Sequence, residues 1–195
     1  MDDIADIEAR LNSPDEDERL RAVLDLGGSV DPERIKKLVE VLEREGSRAV
    51  REAAAVALIS IGTEEVAEEV ARLLRSGDPY ARNTASDILQ CIGEPAEGVL
   101  AGLLSDPDPD VRSLAVRAVG RGDLRSAVRL LREVVLSDGD INVVASAAEF
   151  LGVKGETAED AEALRAARQR FSDPFLDFVV DEALEKMRAV GGIDG

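Results

Sequence analysis

The sequence predicts an all-α fold, an α-solenoid of about six helical hairpins in one domain spanning residues 1–195. Three observations predict it. Leu11, Leu42, Leu74, Leu104, Leu136 and Phe171 each close one amphipathic stretch, and a polar turn then leads into a second. These anchors recur every 30 to 35 residues, a period at which each unit buries its apolar face only against its neighbours. Apolar residues within the stretches follow helical spacing, and no segment sustains the alternation of a strand. Asp-Pro pairs, Ser and Gly stand where helices must start and stop.

The first pair of helices occupies Ile4 to Leu26. The second opens at Asp31-Pro32-Glu33, where Asp accepts from free N–H groups and Pro fits the first helical position. Ile35, Leu38, Val39 and Leu42 form its apolar stripe, Gly46-Ser47 breaks it, and its partner runs from Ala49 to a capping Gly62. Thr63-Glu64-Glu65 starts the third pair, Ser76-Gly77-Asp78-Pro79 divides it and Gly93 ends it. Glu94-Pro95 opens the fourth, Ser105-Asp106-Pro107-Asp108 divides it and Gly120 ends it. A fifth spans Leu124 to Leu151, and a sixth Thr157 to Val190 with Asp173-Pro174 between its helices. The repeats therefore fall near 2–29, 30–62, 63–93, 94–121, 122–155 and 156–195.

Composition narrows the function. With 45% hydrophobic residues but no Trp, four Phe and one Tyr, the core must be aliphatic. A net charge of -17, from 41 acidic and 24 basic residues, disfavours nucleic acid and anionic membranes. Only Lys36, Lys37, Lys154 and Lys186 are lysines; the rest of the basic residues are arginine. A salt-rich cytoplasm, a GC-rich coding sequence or a basic partner would each leave this bias. The lone Cys91 cannot form an intrachain disulfide. The acidic opening residues lack a signal peptide's basic and apolar regions, and no run approaches a membrane span, so a cytoplasmic, monomeric protein is expected.

Much chemistry is excluded. Histidine is absent, which removes His-based metal sites, His general bases and Ser-His-Asp triads. No phosphate or dinucleotide fingerprint occurs. Asp106-Pro107-Asp108-Pro109-Asp110 lacks the spacing and glycine of a calcium loop and reads better as helix capping. No catalytic residue, metal or cofactor is expected.

The segments Leu74-Arg75-Ser76-Gly77-Asp78-Pro79-Tyr80-Ala81-Arg82 and Leu103-Leu104-Ser105-Asp106-Pro107-Asp108-Pro109-Asp110-Val111-Arg112 are followed by small residues at helical spacing and then Gly. In this the chain resembles HEAT-like repeat proteins, particularly those of the phycobilisome-lyase type. Arg51, and Arg21 in the first repeat, match the same arginine position, whereas the fifth and sixth repeats carry Val144 and Val180 there. The resemblance implies a ladder between successive repeats in which turn aspartates Asp78 and Asp108 serve helix arginines Arg51, Arg82 and Arg112. It favours a structural role for these arginines over ligand binding.

The same resemblance implies that the second helix of each repeat lines a concave face. Helical geometry then displays Ala22, Asp25 and Leu26; Glu52, Ala55, Val56 and Ile59; and Asn83, Ser86, Asp87 and Gln90. Ser113, Val116 and Arg117 follow, then Ala145, Ala148 and Glu149, then Asp181, Leu184, Glu185 and Arg188. Leu26, Glu52, Val56, Ile59, Asn83, Asp87, Gln90 and Arg117 are the candidate partner-binding residues. Either Val56 and Ile59 form a protein-binding patch, or curvature buries them against a neighbouring helix. Arg125, Arg129 and Arg132 share a helix face that either grips an acidic segment or phosphate or is solvated and paired with acids. A non-enzymatic scaffold or adaptor binding another protein is the function expected. The alternative is a bilin-lyase-like or chaperone-like accessory factor, for which a pocket with aromatic walls would be needed.

Overall fold

The computed structural model describes residues 4–189, and Val190 and the outer limits of the first and sixth repeats lie outside them. Those residues form twelve α-helices and no strand. The first helices of the hairpins are α1 (Ile4–Leu11), α3 (Pro32–Arg44), α5 (Glu64–Ala71), α7 (Glu97–Leu103), α9 (Ala127–Ser137) and α11 (Ala158–Phe171). Their partners are α2 (Glu16–Leu26), α4 (Arg48–Ile61), α6 (Pro79–Ile92), α8 (Pro109–Arg121), α10 (Ile141–Lys154) and α12 (Pro174–Ala189). Short 3-10 turns extend α5 through Arg72–Arg75 and precede α7 at Glu94–Ala96.

Local chemistry starts each partner helix in the same way. Asp15, Ser47, Asp78, Asp108 and Asp140 sit at the N-cap, where a side-chain oxygen accepts an N–H two or three residues on. Asp173 does the same for α12, accepting from Phe175 and Leu176. Such caps answer N–H groups that the helix cannot satisfy itself. Gly62 ends α4 in the left-handed region, at φ 60°, where a side chain would be strained.

The chain divides into two compact units, residues 1–99 and 100–195. In the first, α2, α4 and α6 pack side by side as one layer, and α3 and α5 pack in the other. In the second, α8, α10 and α12 form the partner-helix layer, with α9 and α11 packed together. Both cores are aliphatic: Leu26, Leu38, Leu42, Leu58 and Leu89 are fully buried in the first, as are Leu131, Leu151 and Val180 in the second.

One packing device recurs within the layers. The twelfth residue after the cap of one partner helix meets the tenth of the next. A Cβ on Gly27 would lie 2.8 Å from the Ala57 Cβ, and one on Gly152 would lie 2.5 Å from the Ala183 Cα. Gly120 meets the Phe150 ring in the same way. Gly120 therefore does not terminate its helix, as the sequence suggested. It lies buried inside α8, because what the position requires is the absence of a side chain.

Candidate functional site

Counting from each cap places Arg19, Arg51, Arg82 and Arg112 at one position, four residues into α2, α4, α6 and α8. Three of them reach back to their own turn: Arg19 to the Ser13 carbonyl (2.9 Å), Arg82 to that of Ser76 (2.7 Å) and Arg112 to that of Asp106 (2.8 Å). Three also reach forward to an acid in the next turn. Arg19 donates to both Glu45 oxygens (2.9 and 3.2 Å), Arg112 to both Asp138 oxygens (2.7 and 3.0 Å), and Arg51 to Asp78. Arg51 also lies 4.1 Å above the Tyr80 ring, a cation–π contact.

The accepting acids have a second task. Glu45 and Asp138 stand two residues before a cap and accept its N–H, from Ser47 (2.7 Å) and Asp140 (2.8 Å). Asp106 accepts from Asp108 likewise. In the third repeat Ser76 fills this place, and its hydroxyl accepts the Asp78 N–H. Arg51 then pairs two residues further on, with the capping Asp78. Burial pushes the Glu45 carboxyl up, but the Ser47 N–H and Arg19 outweigh it and hold the group below its ordinary range. Arg51 and the Tyr80 N–H lower Asp78.

Three ladder expectations need correction. Asp108 sits at the cap of α8 and accepts the Asp110 N–H, while Asp138 receives Arg112. In the first repeat the arginine is Arg19; Arg21, two residues on, is exposed. The sixth repeat's equivalent is Asp177, four residues after Asp173, and Val180 is buried. Val144 does occupy the position in α10.

Two arginines of the second unit's row, Arg129 and Arg132, are answered by acids. Arg129 pairs with Glu133 (2.8 Å), and Arg132 bridges to Asp160 (2.6 Å) and Glu159 (2.7 Å) on α11. Asp160 is fully buried, which pushes its carboxyl up. Bonds from the Thr157 hydroxyl and N–H, and from Arg132, outweigh burial and lower it overall.

The outward side of α2, α4 and α6 carries a row at the fifth and ninth positions after the cap. Leu20 and Leu24 supply it from α2, Glu52 and Val56 from α4, and Asn83 and Asp87 from α6. Leu24 and Val56 are each 63% exposed, at the same level of adjacent helices. Glu52 is exposed and bonded to Arg48 (2.6 Å); Asn83 and Asp87 are exposed; Ile59 and Gln90 are half-buried. Glu52, Val56, Ile59, Asn83, Asp87 and Gln90 thus lie on α4 and α6, adjacent helices of the first unit. Leu26 does not belong with them. It is 0% exposed, because it points into the core two residues past Leu24, an exposed position that the sequence does not single out. Ala22, Ser86, Val116, Ala145, Ala148 and Leu184, all expected on display, are buried as well. Arg117, half-buried, lies in the second unit.

A cleft of about 400 Å³ opens between α1 and α3, lined by Glu8, Leu11, Asn12, Lys37, Glu40, Val41, Arg44 and Glu45. Lys37 spans it, 2.8 Å from Glu8 and 3.3 Å from Glu40, and these partners raise its pKa. No aromatic residue lines this cleft. Among the described residues no cluster of three or more His, Cys, Asp or Glu side chains could hold a metal. No described helix is long and apolar enough to cross a membrane.

Among solved structures, the chain is similar to one from work on microtubule plus-end tracking by XMAP215, CLIP-170 and EB1. The two share 16% identity over 93% of this chain and 90% of that, with TM-score 0.55. Mini spindles TOG3 of Drosophila melanogaster is 19% identical over 93% of both chains, with TM-score 0.54. At these identities the likeness shows the fold alone. No curated protein sequence matches the chain. The family model for HEAT repeats matches residues 4–90 and 96–188, with no support for the phycobilisome-lyase subtype. By that match, and by the repeated hairpins that underlie it, the chain belongs to the HEAT-repeat family.

Proposed function

We propose that this chain is a non-enzymatic protein-interaction scaffold whose α2–α4–α6 face takes up a segment of another protein. The observation that carries the reading is the pairing of Leu24 with Val56. A single exposed aliphatic residue is ordinary; two at equivalent positions on adjacent packed helices make a patch. Ile59 extends it, and Glu52, Asn83, Asp87 and Gln90 supply the polar edge that interfaces carry. These side chains stand on packed helices, so the ordering cost of binding falls mainly on the partner. The charge of -17 supports a partner segment bearing Lys or Arg. Repeat solenoids usually act by binding rather than catalysis, which agrees with this reading.

The test compares affinity capture by wild type, Leu24→Glu/Val56→Glu and the control Leu136→Glu, which alters an exposed leucine of α9. Partners held by wild type and the control but lost by the double variant are the expected result. A partner set indifferent to the double variant would overturn the reading. A visible chromophore carried by the captured protein would favour the accessory-factor alternative instead.

A further inference from the structure

Two rungs of the arginine ladder are complete where a third is half made. Arg19 and Arg112 each place Nε and one Nη on the two oxygens of a single carboxylate, Glu45 or Asp138, the planar match that a guanidinium makes best. Arg51 engages the capping Asp78 through one Nη only. Its Nε is buried and has no hydrogen-bond partner among the described residues. The Tyr80 ring lies 4.1 Å from the guanidinium carbon, but a ring face offers that N–H no oxygen. A buried donor left in this way costs stability, and folded proteins rarely keep one without a reason.

The missing acceptor has a place in the sequence. The residue two before the cap is Glu45, Asp106 or Asp138 in the second, fourth and fifth repeats, and Ser76 in the third. Ser76 performs the first task of those acids, accepting the Asp78 N–H at 3.2 Å. It lacks the charged pair of oxygens needed for the second, holding the arginine of the preceding repeat. The place takes acids of either length, Asp or Glu. It also tolerates an acidic cap beside it, since Asp106 stands with Asp108 and Asp138 with Asp140. Ser76 is half-buried between the exposed Arg75 and Gly77, and a Cβ on Gly77 would meet nothing within 4 Å, so the turn is open to solvent. Arg82 already holds the Ser76 carbonyl at 2.7 Å, which fixes the main chain there.

We infer that Ser76 is a phosphorylation site whose phosphate supplies the acid that the third repeat lacks. A protein kinase brings a nucleoside triphosphate as the donor. The Ser76 Oγ attacks the γ-phosphorus and an Oγ–P bond forms. The bond from that phosphorus to the β-phosphate oxygen breaks, the nucleoside diphosphate leaves, and the hydroxyl proton passes to the kinase's base. Phosphoserine carries a charge of about -1.5 to -2 at pH 7 and three acceptor oxygens. Standing where Glu45 and Asp138 stand in their repeats, those oxygens take the Arg51 Nε–H, while Asp78 keeps its cap and its Nη bond. The mark therefore tightens the joint between α4 and the turn that starts α6. Ser13, two before the cap of the first repeat, is not equivalent. No described repeat precedes it to supply an arginine, and its hydroxyl donates to Glu18 at 2.5 Å, so a phosphate there would face a carboxylate. The inference rests on the ladder and does not depend on the Leu24–Val56 row.

The experiment unfolds in urea the full chain bearing phosphoserine at residue 76, installed by codon reassignment, beside the unmodified chain. The phosphate is expected to raise the folded-to-unfolded ratio about tenfold, the scale of one hydrogen bond between charged groups. Arg51→Gln is expected to abolish that gain, and phosphoserine at residue 13 to give none. Ser76→Glu is expected to be more stable than Ser76→Gln, a comparison that leaves Arg51 in place should Arg51→Gln fail to fold. Mass spectrometry of the chain purified from its own cells, with phosphatases inhibited, is expected to find phosphate on Ser76. A phosphate that destabilises the chain, or that stabilises it equally without Arg51, would overturn the inference. So would equal stability of the Ser76→Glu and Ser76→Gln variants, or a Ser76 that is never modified in the cell.

Discussion

Arg112 holds Asp138 through two hydrogen bonds, of 2.7 and 3.0 Å, and so joins the start of α8 to the turn before α10. The pair is largely enclosed, with the arginine side chain 15% and the aspartate 5% exposed. Removing one member leaves the other partly buried without its counter-charge, and Arg112→Ala is expected to cost about 2–3 kcal/mol. Urea unfolding measures this. Asp138→Asn, which keeps an acceptor for the Asp140 N–H, is expected to cost less.

Several acids tie stability to pH. Glu45, Asp78 and Asp160 all have folded-state pKa values below their ordinary ones. Their contribution is fully present above the unfolded carboxylate range, about pH 4 to 5, and is lost as pH falls through the folded values. Acidification also relieves the repulsion of a strongly negative chain, which acts in the opposite sense. Stability profiles of wild type and Asp160→Asn separate the two effects. Wild type is expected to lose more stability than the variant between about pH 5 and pH 3. Parallel profiles would show that Asp160 contributes nothing.

Glycines in this chain divide by what surrounds them. Gly152→Ala thrusts a methyl towards the Ala183 backbone and is expected to destabilise by about 1–3 kcal/mol, despite alanine's better helix propensity. Gly102, inside α7, has nothing within 4 Å of a new Cβ. Gly102→Ala is expected to stabilise by about 0.5–1 kcal/mol. Thermal melts of the pair check both signs.

Leu24 and Leu26 of α2 make a third contrast. Leu26 is fully buried and Leu24 is 63% exposed. Leu26→Ala is expected to cost about 2–5 kcal/mol and Leu24→Ala less than about 0.5. Equal costs would mean that the helix face has been misassigned.

This contrast also shows what the sequence disclosed and what it withheld. Repeat number, helix spacing and most caps were legible, because each is a local signal: a period, an Asp-Pro, a Gly. The register of the first repeat was not. Arg19 and Arg21 are two apart, and choosing Arg21 as the ladder residue moved the displayed face from Leu24 to Leu26. In the sixth repeat the choice of Val180 over Asp177 placed Leu184 on display and left Phe178 out. Both slips vanish when positions are counted from the capping aspartate, Asp15 or Asp173. The interior glycines mislead for another reason. Gly120 resembles a helix stop, and only the neighbouring helix, distant in sequence, shows why it and Gly152 are there.

The double duty of Glu45 and Asp138 bears on how such a chain can grow or shrink over generations. Each carboxylate is tied on one side to its own turn and on the other to an arginine of the preceding repeat, 26 residues earlier. Recombination between equivalent points of two repeats therefore recreates an intact rung wherever the joined repeats carry both the arginine and the acid. A cut out of step leaves an arginine with no acid in reach and a turn without its brace. Lengthening and shortening in whole repeats keeps such rungs in step, and fractional changes break them.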